Sequence, residues 1–280
     1  MRHDSRQTRL GLLVVVLALS LEVEAAPAAP VSACEGLDAK GREAMQWFIS
    51  GAFPIPSPWI TCTEDNGANA ATLRGQRSAS VPCLLQIYRS GLANTGLWLR
   101  REPPPTDGAW TINVLGQVDP LAAIDLWHEK AVTTHDPWLR AFALLQMGRL
   151  GNRAVLHNLA AVLADPPPMP GLKPFERDSF LADAADLIAQ YDYRPGLPAL
   201  KRLYSTPRLS LRWVDLHILQ LEGNVGTLER RTRDKDAAGG NAVRALYRMH
   251  AREALKRIAD DPMHPQSTMA HHYLGLNLRL

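Results

Sequence analysis

Apolar residues in this chain recur every three to four positions over long stretches, and no stretch alternates apolar with polar as a half-buried strand does. The clearest case runs from Asp136 to Pro166. Asp136 suits a helix cap, and Pro137 suits the first helical position, where its missing N–H has no intrahelical partner to lose. Leu139, Phe142, Ala143, Met147 and Leu150 fall on one helical face. Gly148 and Gly151 weaken the end of that helix, and Asn152 can turn the chain and cap the next helix. Val155, Leu159, Val162 and Leu163 form a second stripe, which Asp165 and the prolines from Pro166 stop. Each stripe is wider than one partner helix covers, so the pair needs neighbours.

The same plan recurs. Trp110–Val118 and Leu121–Ala131 are split by Asp119-Pro120, a second Asp-Pro start. Glu176–Gln190 is followed by Pro198–Tyr204. Leu209–Leu221 and Val225–Arg233 are split by Gly223-Asn224. Asn241–His250 and Arg252–Ala259 are closed by Asp260-Asp261-Pro262, and Ser267–Leu278 stands alone. His250-Ala251 holds neither Gly nor Pro, so this last pair also reads as one continuous helix; Gly239-Gly240 reads as a turn between units. The unit length, about 25–37 residues, is that of helical repeat arrays. Upstream the pattern is irregular. Leu37–Ser50 reads as a helix, Phe53–Trp59 is broken by three prolines, Thr61–Ala79 is polar loop with one short helix, and Pro82–Leu92 is helical.

Segments such as INVLGQVDPLAAIDLW and AVRALYRMHAREALKRIADDP resemble HEAT-like (armadillo-type) repeats over roughly residues 107–280. Several units lack the first-helix proline and the aspartate/arginine pair of strong HEAT units. AHHYLGLNL has a tetratricopeptide flavour, without the strict spacing of that family. The resemblance implies an all-α, right-handed α-α superhelical solenoid of about five helix pairs, preceded by an irregular cap over 36–106. It also implies a concave face, lined by the second helices, that binds a protein.

The first residues read as a targeting segment. Arg2, Arg6 and Arg9 precede an apolar run, Leu10–Leu21, that is too short to span a bilayer, which takes about 20 apolar residues. Val23-Glu24-Ala25 offers a cleavage site, giving a signal peptide over 1–25 and an Ala/Pro linker over 26–35. Export to a bacterial periplasm follows, and it bears on the three cysteines. Val31-Ser32-Ala33-Cys34 resembles a lipobox, so Cys34 is a lipidation candidate. In an oxidising compartment three cysteines leave one over after one disulfide. Any of three pairings is open, with Cys62–Cys83 preferred.

Of the 280 residues, 46% are apolar, enough for a core, and the formal net charge of +3 says nothing of nucleic acid, which export disfavours. No GxSxG, SxxK, Walker, GxGxxG or HExxH motif is present, and no CxxC. Asp183 and Asp186 read as an ordinary polar helix face. His264, His271 and His272 cluster near the C-terminus, but His271 and His272 point about 100° apart on a helix and make no metal site. The remaining histidines, His217 among them, are scattered. Trp110, Trp127, Trp138 and Trp213 read as packing residues, with Trp138 the best candidate for exposure.

Charge is more informative. Residues 194–257 carry fourteen lysines and arginines against six acids, whereas 34–193 are net acidic. Arg230, Arg231, Arg233 and Lys235 on one second helix, with Arg252, Lys256 and Arg257 on the next, form a basic strip suited to an acidic protein or anionic headgroups. The expectation is an exported, non-catalytic protein-binding scaffold or assembly factor that uses no cofactor or metal. The alternatives are an enzyme or accessory subunit of the HEAT-like lyase type, which requires a polar pocket with convergent histidines or carboxylates, and a lipoprotein tethering a cell-envelope complex.

Overall fold

The computed structural model describes residues 34–49, 64–90, 109–170, 172–206, 213–234 and 237–277. Fourteen α-helices and no strand occur among the described residues. They are α1 (Ala39–Ile49), α2 (Glu64–Gly75), α3 (Arg77–Ser90), α4 (Ala109–Val118), α5 (Pro120–Thr133), α6 (Pro137–Arg149) and α7 (Leu156–Ala164). Then follow α8 (Pro174–Gln190), α9 (Leu197–Tyr204), α10 (Val214–Leu221), α11 (Val225–Arg231), α12 (Ala237–Arg248), α13 (Arg252–Asp260) and α14 (Ser267–Asn277). The targeting segment, Cys62 and Lys235 lie outside the described residues.

Both Asp-Pro starts work as their chemistry predicts. Asp136 accepts from the Trp138 N–H at 2.8 Å and Asp119 from the Ala122 N–H at 3.3 Å, each with proline following at the first helical position. Helix ends share a second device. At Gly151, Asp192, Gly223 and His250 the backbone turns left-handed, with φ of 97°, 47°, 75° and 55°. Each N–H bonds three residues back, and the next N–H reaches five back: Asn152 to the Met147 carbonyl, Tyr193 to Ile188, Asn224 to Leu219 and Ala251 to Leu246. This is the Schellman arrangement. Four pairs, α6–α7, α8–α9, α10–α11 and α12–α13, are joined by the same tight turn. His250-Ala251 is therefore a real break and not the middle of a continuous helix.

Left-handed angles crowd a Cβ against the backbone and favour glycine. Changing the exposed His250 to glycine is expected to raise unfolding free energy by up to about 1 kcal/mol, and Gly223→Ala to lower it by about as much. Urea titration of each variant measures both.

Gly239 and Gly240 lie inside the first turn of α12 and are not a turn between units. A Cβ on Gly239 would collide with the Asp234 carbonyl oxygen. The glycine is there because the chain leaving α11 passes hard against α12.

Every substantial helix–helix contact joins elements one or two along the chain. First members of pairs lie side by side: α6 against α8, α8 against α10, α10 against α12, α12 against α14. Among the second members, α7 meets α9 and α11 meets α13. α6 is buried from Trp138 to Gly148 except at Arg140. Trp138, read as a packing residue but as the tryptophan best placed for exposure, is 2% exposed and so belongs to the core. Its ring lies 5.7 Å from that of Phe142 and 4.8 Å from that of Phe180, and Trp127 extends the aromatic row. A cap position fixes where a helix starts, not how many of its sides are covered.

Two groups of buried apolar residues meet at α10. Val214 and Leu221 belong to the group that runs back to Leu37, and Leu216 to the group that runs on to Ala270.

At the N-terminal end, the stretch read as polar loop holds α2 and the start of α3. Pro82, read as a helix start, is the sixth residue of α3. Ser80 takes part in this corner, donating its hydroxyl to the Leu73 and Gln76 carbonyls. The disulfide also differs from expectation. Cys83 is bonded to Cys34, with Cα atoms 4.6 Å apart, and not to Cys62. Gln76 explains the pairing. Its side chain accepts from the Asp38 N–H at 2.9 Å and donates to the Asp38 carboxylate at 2.6 Å, so the start of α1 sits on the α2–α3 corner beside Cys83. The Cys34 sulfur, committed to a disulfide here, has no valence for the thioether that a lipid anchor requires. A disulfide accords with an oxidising environment, as export predicts. No helix among the described residues is long and apolar enough to cross a membrane.

Candidate functional site

The basic strip lies on α11, α13 and the turns after them, and its charges are largely answered from within. Arg231 reaches Asp215 and Asp234, each at 2.6 Å. Arg233 reaches Asp261 at 3.2 Å. Arg257 makes a two-pronged bond to Glu229 at 2.8 and 2.9 Å, linking α13 to α11 and holding the Glu229 carboxyl below its usual range. Arg230 donates to the Thr227 hydroxyl. Arg230, Arg252 and Lys256 are exposed and have no acid within ion-pair distance among the described residues. The strip's free charge is therefore those three, with Lys235 outside the described residues.

A second charged cluster lies on the first helices. Arg149 of α6 bonds Asp183 of α8 at 2.6 Å. One turn further along α8, Asp186 takes both arms of Arg248 from α12, at 2.7 and 3.1 Å. That pair spans α10, which packs between α8 and α12. Beneath it sits His217 of α10, 9% exposed, with Nε2 3.7 Å from the Asp186 carboxylate, beyond hydrogen-bond reach. Arg244, exposed and one turn before Arg248, is near enough for its charge to act on both Asp186 and His217. These ion pairs bridge the place where the two apolar groups meet.

The two carboxylates sit 36% and 37% exposed, yet they titrate apart. Burial pushes the Asp186 carboxyl up, but the Arg248 fork, with Arg244 and His217, outweighs it and sets the pKa below the usual value. For Asp183, burial and the charge of Asp186 outweigh Arg149, and its pKa is raised. His217 is pushed down to about 4: burial dominates, Arg248 and Arg244 add to it, and Asp186 and Asp215 pull the other way.

That gives a pH prediction. The folded pKa of His217 lies below its ordinary 6.5, so the unfolded chain takes up the proton first as pH falls. Its contribution is complete above pH 6.5 and is lost on descending to pH 4, about 3 kcal/mol in all. Unfolding free energy measured at pH 7 and 4.5 should show this fall, and His217→Gln should flatten it.

His264 is buried and capped. The Gln266 N–H donates to Nδ1 at 3.1 Å, so Nε2 carries the proton and faces the Thr232 hydroxyl at 3.1 Å. His271 and His272 are exposed. No group of three histidines, cysteines or carboxylates that could hold a metal occurs among the described residues.

The sequence pattern singles out the strip and passes over the cluster. The available signal was spacing: Asp183/Asp186 and Arg244/Arg248 are each one turn apart on helices otherwise rich in buried alanine and leucine. Compared with protein-family models, curated proteins and solved structures, the chain matches none.

Proposed function

We propose that this chain is an exported, non-catalytic scaffold of the periplasm that holds another protein on an extended helical-repeat face. The observation that carries the reading is the packing order: the substantial helix–helix contacts join helices one or two along the chain, which is how helical repeats stack. The recurring Schellman turn supports a repeated two-helix unit, and a HEAT-like solenoid of about five such units is the arrangement we favour. The partner carries an acidic surface, because the cations left over by internal pairing, Arg230, Arg252 and Lys256, are uncompensated. Crosslinking of the mature protein in its native envelope extract, followed by mass spectrometry, tests this. One acidic protein recovered repeatedly, and lost at high salt, is expected; recovery of no specific partner contradicts it.

The enzyme reading gains one observation, the convergence of Asp183, Asp186 and His217 on neighbouring helices. We rank it second because both carboxylates are held by arginines and His217 lies beyond hydrogen-bond distance of Asp186.

A further inference from the structure

The outer face of α5 carries a stripe that its neighbours leave uncovered. Among the described residues α5 packs substantially on α4 and α6 alone, and it buries Ala123, Leu126, Trp127 and Ala131. Leu121, Asp125, His128 and Val132 fall on the opposite side of the helix. Leu121 is 70% exposed and Val132 67%; after Met263 they are the most exposed large apolar side chains among the described residues. Asp125 and His128 are exposed too, and among the described residues neither side chain has an ion-pair or hydrogen-bond partner. Single exposed apolar residues are ordinary on a surface. Four residues at intervals of four, three and four are the seam by which one helix packs along another.

The order of the four residues decides the partner. The stripe reads apolar, acid, histidine, apolar, which is complementary to itself reversed. A two-fold axis level with the midpoint of the stripe, between Leu126 and Trp127, lays a second α5 antiparallel on the first. Leu121 of each copy then meets Val132 of the other, and the Asp125 carboxylate of each accepts from the His128 imidazole of the other. Glu129, on the flank, lies nearest Ala122 of the second copy, so no acid faces an acid. A parallel pairing sets Asp125 against Asp125 and loses the match. We infer that α5 is the contact helix of a symmetric, antiparallel dimer of this chain. One helix pair is small beside the about 1,200–2,000 Å² that stable interfaces bury in all, so the dimer forms at micromolar concentration. The inference goes beyond the scaffold reading and uses none of the cations on α11 and α13.

Sedimentation velocity of the full mature chain, from about 1 to 100 µM, tests it. The wild type is expected to pass from monomer to dimer across that range. Val132→Asp should leave monomer alone, with an unchanged melting temperature, since the side chain is exposed. Asp125→His and His128→Asp should each weaken the dimer at least about tenfold, because each sets like side chains opposite one another. The exchange variant Asp125→His/His128→Asp should restore it to within about threefold of wild type, which a merely local effect of either substitution would not do. The triple variant Arg230→Gln/Arg252→Gln/Lys256→Gln should dimerise as the wild type does. A wild type that stays monomeric at the top of the range overturns the inference, as does a dimer indifferent to Val132→Asp. An exchange variant no tighter than its two parents overturns the antiparallel register and the inference with it. Loss of the dimer in the triple variant also overturns it, by moving self-contact to the α11–α13 strip. Partner capture from the envelope extract decides the scaffold reading separately.

Discussion

Replacing Asp186 by asparagine is expected to lower unfolding free energy by about 2 kcal/mol, whereas the same change at Asp183 should be neutral or slightly stabilising. The two residues lie one turn apart on one helix, equally exposed, and each faces an arginine. They differ in what surrounds them. Asp186 answers Arg248 in a two-pronged bond, with Arg244 close by, so its charge is favoured in the folded chain and its pKa is lowered. Removing that charge leaves two arginines one turn apart on α12, Arg244 and Arg248, without the carboxylate on which both charges act. Breaking a fully buried pair costs about 3–5 kcal/mol, and exposure of about a third reduces the figure to about 2. Asp183 sits under the repulsion of Asp186 with only Arg149 to offset it, and its raised pKa means that its charged form is disfavoured by folding at neutral pH. An uncharged isostere relieves that. Because the Asp186 pair bridges the two apolar groups at α10, its loss should appear first as faster hydrogen exchange in α12–α14. Equal destabilisation by both substitutions contradicts this account.

Reducing the disulfide should have a still larger effect. Cys34 and Cys83 are 49 residues apart in sequence, and closing such a loop restricts the unfolded chain by about 4 kcal/mol. Cys83 is fully buried in α3, so Cys34→Ala is the cleaner variant. It removes the crosslink from a half-buried position, while Cys83→Ser would also place a hydroxyl in an apolar site. The melting temperature of Cys34→Ala should fall, and wild type in dithiothreitol should match it. Exchange should accelerate in α1–α3 and change little beyond α10. An unchanged melting temperature would show that the crosslink does not restrict the unfolded chain as supposed.

Much of the helical plan could be read directly from local chemistry. Asp119-Pro120 and Asp136-Pro137 start helices because aspartate caps and proline tolerates the first position. Gly223-Asn224 ends one helix and caps the next, the asparagine accepting from the Thr227 N–H. The misreadings share one cause, which is that the deciding neighbour is distant or the residue type ambiguous. His250 and Asp192 adopt left-handed angles without being glycine, so their breaks carry no strong local mark. Gly239 does carry the mark, but it serves a close approach instead of a turn. Trp138 packs as tryptophans on helix starts and stripes are expected to, but its place beside the Leu139/Phe142 stripe gives no sign that α6 is covered on nearly all sides. The ion pairs depend on helices brought together from far along the chain: Asp186 and Arg248 are 62 residues apart. Charge counting found an excess of cations in residues 194–257. Only the fold shows that Arg231, Arg233 and Arg257 of that excess are already paired and that Arg244 is not.

A photo-crosslinking residue placed at the exposed Glu253, between Arg252 and Lys256 on α13, tests partner binding at the uncompensated cations most directly, with Asn241 of α12 as the comparison. In native envelope extract, the Glu253 probe should yield one discrete adduct with an acidic protein, and adding Arg252→Gln/Lys256→Gln should remove it. An adduct from Asn241 alone would contradict the assignment of the contact to these cations, and no adduct from either position would contradict the scaffold function itself.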